Sequence, residues 1–127
     1  MNDGAPNDGA MNDGAPAGPT IDDFARLDIR VGRIVEAAAL PRARQPSYRL
    51  RIDFGPLGLR QSAAQLPETY PDPASLAGRL VVAVVNFPPR RVAGVRSDVL
   101  VLGALTATGR IPLLSVDEGA EPGDRIG

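Results

Sequence analysis

The chain of 127 residues contains no cysteine, no histidine and no tryptophan, and all 14 of its basic residues are arginine. Without cysteine there can be no disulfide, no thiolate nucleophile and no cysteine-ligated zinc. Without histidine and lysine, the commonest general base, a Schiff-base lysine and the Walker A lysine are excluded as well. The composition therefore predicts a protein that is not an enzyme and that uses no metal or other cofactor.

Long apolar runs are also absent. The longest, from Leu80 to Val85, has about six residues, whereas roughly 18 are needed to cross a bilayer. The N-terminus shows no basic segment followed by an apolar one, as a secretory signal would. These features predict a cytoplasmic location and no membrane span.

Charge is unevenly distributed although the net charge is only −1. Residues 1–19 contain three aspartates and no arginine, and they repeat the tetrapeptide NDGA three times. A segment rich in Gly, Pro, Asn and Asp without an apolar face is predicted to be disordered. Residues 20–127 are predicted to form one domain, whose small positive charge is too low for a non-specific DNA binder.

Ordered structure is predicted to begin at a capping box, with Thr20 as the N-cap residue and Asp23 as the N3 residue. Ile21, Phe24 and Leu27 follow at helical spacing. A short amphipathic helix is therefore expected, with this stripe packed on the domain or on a second subunit.

Period-2 alternation and Gly/Pro turns predict strands over most of the remaining chain. Three strands form a meander between residues 28 and 63, with Tyr48 and Phe54, like Phe24, in the core. Residues 63–78 are irregular with a short helix, and strands follow within 80–86, 98–105 and 110–115. This pattern predicts an all-β fold, a five-stranded oligonucleotide-binding (OB) barrel with a short N-terminal helix and flanking extensions. An SH3-like barrel is the alternative.

The segment NFPPRRVAGVRS, residues 86–97, has the strongest candidate binding chemistry. Its two prolines stiffen the chain, which reduces the entropy that neighbouring side chains lose on binding. Planar guanidinium groups bind phosphate or carboxylate in a bidentate way. The cations are Arg90, Arg91 and Arg96. The alternative is a solvated loop whose arginines pair with Asp98 or Asp53.

Two smaller polar groups flank this segment in the predicted barrel. Arg42 and Arg44 lie in the loop after the first strand, at the rim of an OB binding face, although simple solvent exposure would also explain them. A second patch could contact peptide amides or base edges, or could cap the next turn; it comprises Arg60, Gln61, Ser62 and Gln65. Only Phe87 and Tyr70 are placed to stack on bases, which argues against a general single-strand DNA binder.

Three blocks of the sequence resemble a known family: IDDFARLDIRVGRIVEA, RIDFGPLGLRQSAAQL and VVAVVNFPPRRVAGVRSDVLVLGA. They are similar to the CsaA-type proteins, a bacterial branch of the tRNA-binding domain superfamily. That superfamily includes the C-terminal domain of methionyl-tRNA synthetase. The similarity covers residues 20–127 and excludes the repetitive tail.

The resemblance implies an OB-fold homodimer in the cytoplasm that takes part in protein secretion. CsaA-type proteins are described as export-related chaperones that bind unfolded precursor polypeptides and the SecA translocation ATPase, whereas their relatives bind tRNA. The resemblance marks as binding positions Asn86, Arg90, Arg91, Gly94 and Ser97, with further matches at Arg30, Gln61, Ser62 and Gln65. Several relatives have lysine where this chain has arginine, and that exchange preserves the charge.

Two hypotheses follow. In the first, a chaperone holds unfolded precursors in an apolar groove edged by Phe87, Pro88, Pro89 and Val92, while arginines bind acidic segments. In the second, a tRNA-binding module contacts phosphates through Arg42, Arg44, Arg90, Arg91 and Arg96. Both include a homodimer, with its interface at Ile21, Phe24 and Leu27, because a barrel this small is not expected to cover that stripe.

Overall fold

The structure, a computed structural model, describes residues 18–127. The prediction of a disordered tail over residues 1–19 therefore lies almost entirely outside the described residues. The described part contains helix α1 (Ile21–Ala25) and strands β1 (Ile29–Ala39), β2 (Tyr48–Asp53), β3 (Leu59–Ala64), β4 (Leu80–Val84), β5 (Arg90–Val92), β6 (Val95–Ser97) and β7 (Leu100–Val101). Short 3-10 helices span Gly55–Leu57 and Pro73–Leu76.

Helix α1 begins at the predicted capping box. Thr20 Oγ1 accepts a hydrogen bond from the Asp23 backbone N–H at 3.3 Å, and the Asp23 carboxylate accepts one from the Thr20 N–H at 2.9 Å. These two bonds satisfy donors that the first helical turn leaves free. The predicted capping box and the helix that follows it are thus confirmed.

Strand β1 is long and bent, which lets it pair with two neighbours. Its first half pairs with β4 and its second half with β2, both antiparallel. The register with β2 shifts by one residue between Ile34 and Glu36, a bulge that increases the local twist. Bending of this kind turns a sheet into a barrel.

Five of the strands form one sheet in the order β3-β2-β1-β4-β7, and the other two, β5 and β6, form a separate hairpin. The two edge strands, β3 and β7, lie near one another, so the sheet curls into a nearly closed barrel. The predicted all-β class, OB-type barrel and short N-terminal helix are confirmed.

The barrel interior is filled by one face of each strand. In β2 the clean alternation buries Tyr48, Leu50 and Ile52, and Phe54 follows at the end of the strand with no exposed surface. Gly32 lies directly against this layer: a Cβ on it would be 2.6 Å from Ile52 Cγ2 and 2.7 Å from Phe54 Cε1. The glycine is therefore required for close packing of β1 on β2.

The C-terminal segment completes the edge of β1 that β2 leaves open. The Val31 N–H donates to the Asp124 carbonyl at 2.9 Å, and the Gly123 N–H donates to the Val31 carbonyl at 2.8 Å. Two residues earlier on the strand, Ile29 accepts a hydrogen bond from the Ile126 N–H at 2.8 Å. The flanking extension is thus part of the sheet's hydrogen bonding.

Two local predictions are wrong. Residues 110–115 do not form a strand, because only Gly103 and Leu113 make an isolated bridge there. Phe24 is not in the core of this chain: it is 40% exposed and Ile21 is 78% exposed, whereas Leu27 packs against a small cluster around Ile29. Helix α1 is too short and too peripheral to bury all three residues of its stripe.

Candidate functional site

The segment predicted as a stiff loop contains the β5–β6 hairpin. Its two-residue turn is Ala93–Gly94, with φ of 51° and 82°, a pair of positive values that fits a type I′ turn. The base of the hairpin is fixed to β3, because the Asp98 N–H donates to the Gln61 carbonyl at 2.8 Å and Ser97 Oγ accepts from the Ala63 N–H at 3.1 Å. A rigid base therefore presents the arginines of the hairpin.

The three hairpin arginines differ in their partners. Arg96 Nε lies 2.7 Å from Asp98 Oδ1, as the solvated alternative predicted. Arg91 Nη1 donates to the Gly94 carbonyl at 3.2 Å, within the hairpin itself. Arg90 is exposed and forms no ion pair with any residue of 18–127. Of the three, Arg90 is therefore the arginine whose guanidinium is most available to a ligand.

An apolar groove of about 540 Å³ lies beside the base of the hairpin. Phe87 and Leu100 line it and are each 43% exposed. The other lining residues are Pro88, Pro89, Arg90, Ser97, Asp98 and Val99. The predicted groove residues Phe87, Pro88 and Pro89 are thus together, whereas Val92 lies elsewhere, near the hairpin tip.

A second apolar pocket, of about 320 Å³, adjoins the first through Leu100. One side is the end of β3, from Ser62 to Leu66, and the other is the stretch from Leu100 to Gly103. Leu105, which is 87% exposed, also lines it. Together the two pockets (termed here the apolar channel) run from Phe87 past Leu100 to Leu105.

A third pocket, of about 400 Å³, brings together two clusters that are far apart in sequence. Arg42 and Arg44 come from the loop after β1, and Val92 and Ala93 come from the hairpin tip. Gln65 lines both this pocket and the apolar channel. Arginines therefore lie at both ends of the channel. Arg42 and Arg44 lie at one end, in this third pocket, and Arg90 lies at the other end, beside Phe87.

Other predicted site residues hold the fold together. Ser62 is 2% exposed and donates to the Val99 carbonyl at 3.0 Å, so its side chain is not on the surface. Ser97 is 6% exposed, and its hydroxyl accepts the Ala63 N–H described above. Their buried hydroxyls join β3 to the base of the hairpin and to the residue Val99 that follows it.

Arg30 and Asn86 connect distant parts of the chain. Arg30 Nε lies 2.6 Å from Asp28 Oδ1, and its Nη1 donates to the Gly123 carbonyl at 3.0 Å. Asn86 Oδ1 accepts the Asp28 N–H and Nδ2 donates to the Arg26 carbonyl, both at 2.9 Å. The polar atoms of both side chains are therefore paired within the chain. Arg30 joins β1 to the C-terminal segment, and Asn86 joins the residues between α1 and β1 to the segment after β4.

Tyr70, a predicted stacking residue, is partly buried. Its hydroxyl accepts the Leu113 N–H at 3.0 Å, and the Arg79 guanidinium lies 5.0 Å from the centre of its ring. The ring face is thus occupied by a cation, which leaves Phe87 as the exposed aromatic of the two.

Of one polar surface the sequence reasoning predicted Gln61 but missed Arg49 and Arg51. Arg49, Arg51 and Gln61 lie on the outer face of β2 and β3, where Arg51 and Gln61 are directly paired. Glu36 partly neutralises this face, at 3.3 Å from Arg49 and 3.8 Å from Arg51. The alternation that buries Tyr48 and Leu50 would have placed both arginines outside.

Within residues 18–127, no helix has the length and apolar character needed to span a membrane. The same residues contain no group of three or more Asp or Glu side chains arranged to hold a metal ion.

Comparison with known proteins adds to this geometry. Residues 29–125 match the model of a family described as "Putative tRNA binding domain". The chain is similar to the chaperone CsaA of Bacillus anthracis strain Ames, with 45% identity and a TM-score of 0.82 over 87% of this chain and 100% of that one. It is also similar to the CsaA chaperone protein of Picrophilus torridus, with 43% identity and a TM-score of 0.79 over 87% of this chain and 100% of that one.

Among curated proteins, the chain is 40% identical over 110 residues to a methionine–tRNA ligase of Neisseria meningitidis serogroup A. That match covers 85% of this chain but only 16% of the ligase. The chain therefore spans a small part of the length of the curated relatives it matches.

Proposed function

Because the chain belongs to the CsaA branch of the tRNA-binding domain family, we propose that it acts as a chaperone that binds unfolded polypeptide chains. The observation that carries this proposal is the apolar channel. Phe87, Leu100 and Leu105 expose large apolar side chains along one connected surface, and such a surface marks a binding site on a small protein. Arginines at both ends would bind acidic residues of the client.

The clients in this proposal are precursor polypeptides before export, and the SecA translocation ATPase is a further proposed partner. Both are implied by the resemblance of the sequence to CsaA-type proteins, and the likeness to two solved CsaA chaperones supports that the chain is of this type. A cytoplasmic location and a role in protein secretion belong to the same proposal, because precursors are held unfolded before they cross the membrane.

A competition titration tests the proposal. The protein is first saturated with a fluorescent, unstructured precursor peptide, and unlabelled tRNA is then added at low salt and at about 200 mM salt. We expect the peptide to bind and to stay bound in excess tRNA. The absence of binding to any unfolded, signal-bearing polypeptide at about 100 µM, a free energy of only about −5.5 kcal/mol, would contradict the proposal.

Binding of tRNA is the second candidate function. The observation that favours it is the convergence of Arg42 and Arg44 with the hairpin tip, in a family described by tRNA binding. Guanidinium groups on a rigid surface can hold successive phosphates. If tRNA displaces the peptide in the titration, and added salt abolishes the displacement, one arginine-lined face serves both ligands.

Replacing Arg42 and Arg44 together with alanine is expected to lower tRNA affinity and its dependence on salt. Each lost phosphate contact removes about 0.9 from the slope of log affinity against log salt, so the slope should fall by about 2. Filter binding at several salt concentrations measures it. Arg110→Ala, at an exposed arginine outside the three pockets, is the control and should leave the slope unchanged; an equal slope in the double variant would rule out phosphate contacts by these two residues.

Homodimerisation is a further proposal. It is supported by the apolar stripe of α1, where Ile21 and Phe24 remain exposed in the single chain although Leu27 is packed. A second copy could cover these two side chains.

Ile21→Asp combined with Phe24→Asp is therefore expected to convert a dimer into a monomer. Light scattering at about 10 µM should give twice the 13.3 kDa chain mass for the parent and one chain mass for the variant. Aspartate is favourable in a first helical turn, so α1 should persist. Leu59→Asp places the same change at an apolar residue that is 55% exposed on β3 and should remain dimeric; a monomeric parent would refute the proposal.

A further inference from the structure

The apolar groove at Phe87 lies beside the point where the repetitive tail, residues 1–19, joins the domain. Thr20 and Asp23 form the capping box that begins α1. Asp23 and Phe87 line the same pocket, of about 310 Å³, and Phe87 also lines the apolar groove. The tail is therefore attached to the domain next to one end of the apolar channel.

The tail and the domain have opposite net charges. The chain contains 14 arginines and 15 acidic residues, and the tail holds three of the acidic residues and none of the arginines. Residues 20–127 therefore have 14 arginines against 12 acidic residues, a net charge of +2, whereas the tail has a net charge of −3. The two parts attract one another, most strongly where an arginine has no acidic neighbour.

Arg90 is such an arginine, and it lines the groove. It is exposed, and none of the ion pairs formed within residues 18–127 includes it. The acidic residue that lines the groove, Asp98, is already paired with Arg96 at 2.7 Å. The Arg90 guanidinium is thus available for a carboxylate, which it can bind through two parallel hydrogen bonds.

The tail carries a suitable carboxylate in each of its repeats. Residues 2–16 read NDGAP, NDGAM and NDGAP, so an aspartate recurs every five residues. Each repeat ends in alanine followed by proline or methionine, and these apolar side chains suit a groove lined by Phe87 and two prolines. One repeat therefore offers both an anion for Arg90 and an apolar contact beside it.

The tail is also long enough to bring any repeat to the groove. An extended chain spans at most about 3.3–3.6 Å per residue, so Asp13 can lie up to roughly 17 Å from Gly18, and Asp3 up to roughly 50 Å. A domain of this size has a radius of gyration of only about 13 Å. The aspartate of each repeat can therefore be placed at Arg90.

We propose that the tail is an intramolecular ligand of the apolar groove, in which an aspartate of one repeat pairs with Arg90 and the apolar residues of that repeat contact Phe87. A client that binds in the groove must displace the tail; this second step rests on the proposed chaperone function. The repeats contain little apolar area, so a client with larger apolar side chains binds more tightly than the tail does. In the absence of a client, the tail covers an apolar surface that would otherwise favour association.

The covalent connection makes a weak contact significant. A ligand joined to its site by a short linker has an effective concentration in the millimolar range. If one repeat binds with a dissociation constant of about 1 mM, an effective concentration of about 2–9 mM weakens client binding threefold to tenfold, because the client binds only to the fraction of molecules whose groove is free.

Spin labelling tests the contact directly and needs no client. Because the chain contains no cysteine, Ala10→Cys provides a single site in the tail for a nitroxide label. At low salt we expect this label to broaden the amide NMR signals of Phe87, Arg90 and Leu100. Arg79 is the internal reference, because it precedes β4 and lies about 25 Å from Phe87 along an extended chain.

Matched variants of the full chain separate the charge of the tail from its presence. Asp3→Asn, Asp8→Asn and Asp13→Asn together remove three charges at almost constant size, whereas Asp3→Glu, Asp8→Glu and Asp13→Glu together keep them. The asparagine variant should lose the broadening and should bind a labelled, unstructured peptide of zero net charge about threefold to tenfold more tightly than the parent does. The glutamate variant should behave like the parent, and the difference should shrink at about 200 mM salt.

The outcomes separate this inference from the proposed function. The absence of broadening at Phe87 and Arg90, or equal broadening in the asparagine variant, would overturn the contact. Equal peptide affinity of the asparagine variant and the parent would overturn the competition. Broadening without binding of any unfolded polypeptide would support the contact and contradict the chaperone proposal.

A mixing experiment identifies the copy to which the tail binds. Spin-labelled chains of natural isotope content are mixed with isotope-labelled chains that carry no nitroxide, so that any broadening arises between copies. We expect little broadening in this mixture. Broadening as strong as that within one chain would mean that the tail binds a neighbouring copy, and the intramolecular contact would be overturned.

Discussion

Replacing Gly32 with alanine is expected to destabilise the protein by about 3 kcal/mol, at the upper end of the cost of overpacking a core. The added methyl group would lie within 3 Å of both Ile52 in β2 and Phe54 directly after it, and both side chains are completely buried. Neither side chain can move outward, because interiors are close-packed. Thermal unfolding should show a midpoint lower by roughly 10–20 °C for a domain of this size.

Gly18→Ala is the matched control for this experiment. Nothing lies within 4 Å of the position that its Cβ would take, so its stability should match that of the parent. An unchanged midpoint in Gly32→Ala would mean that β1 does not pack on β2 as described.

The second large effect is expected at the apolar channel. Phe87→Ala combined with Leu100→Thr should weaken binding of an unfolded polypeptide by about 30-fold, because each lost side chain contributes of the order of 1 kcal/mol of apolar burial. Threonine is chosen at position 100 because it keeps the strand preference of β7. Fluorescence anisotropy with a labelled, unstructured peptide measures the change.

Leu114→Thr provides the control, since Leu114 has the same 43% exposure as Leu100 but lines none of the three pockets. Its affinity should equal that of the parent. Light scattering on the double variant shows whether its mass is unchanged. Equal affinity of the double variant and the parent would mean that the polypeptide does not bind at Phe87 and Leu100.

Local patterns predicted the parts of the fold that depend on neighbours in sequence. The alternation in residues 48–54 predicted which side chains are buried, and the capping box at Thr20 predicted where the helix begins. Residues 110–115 show the limit of this reasoning. Their apolar content suggests a strand, but Leu113 finds only one bridging partner, and burial against the core does not require a ladder.

The site was harder to predict because its residues meet through long-range contacts. Asn86 bonds to Asp28 across 58 residues and Ser62 to Val99 across 37, and no local pattern reveals such partners. The same residue types on a surface would contact a ligand, which is why sequence reasoning placed them in the site. The hairpin was also hard to predict, because Ala93 is not one of the Asn, Asp or Gly residues that type I′ turns prefer at this position, and only Gly94 indicates a turn.

The pairing of β1 with the C-terminal segment has a consequence for synthesis. Arg30 and Gly123, which hydrogen-bond to each other, are 93 residues apart. At about 5–20 residues per second, one edge of β1 remains open on the ribosome for roughly 5–20 s after it has been made. An open edge can pair with another chain. A nascent chain of this protein therefore passes through a stage in which its own backbone needs protection, until the residues around Gly123 emerge.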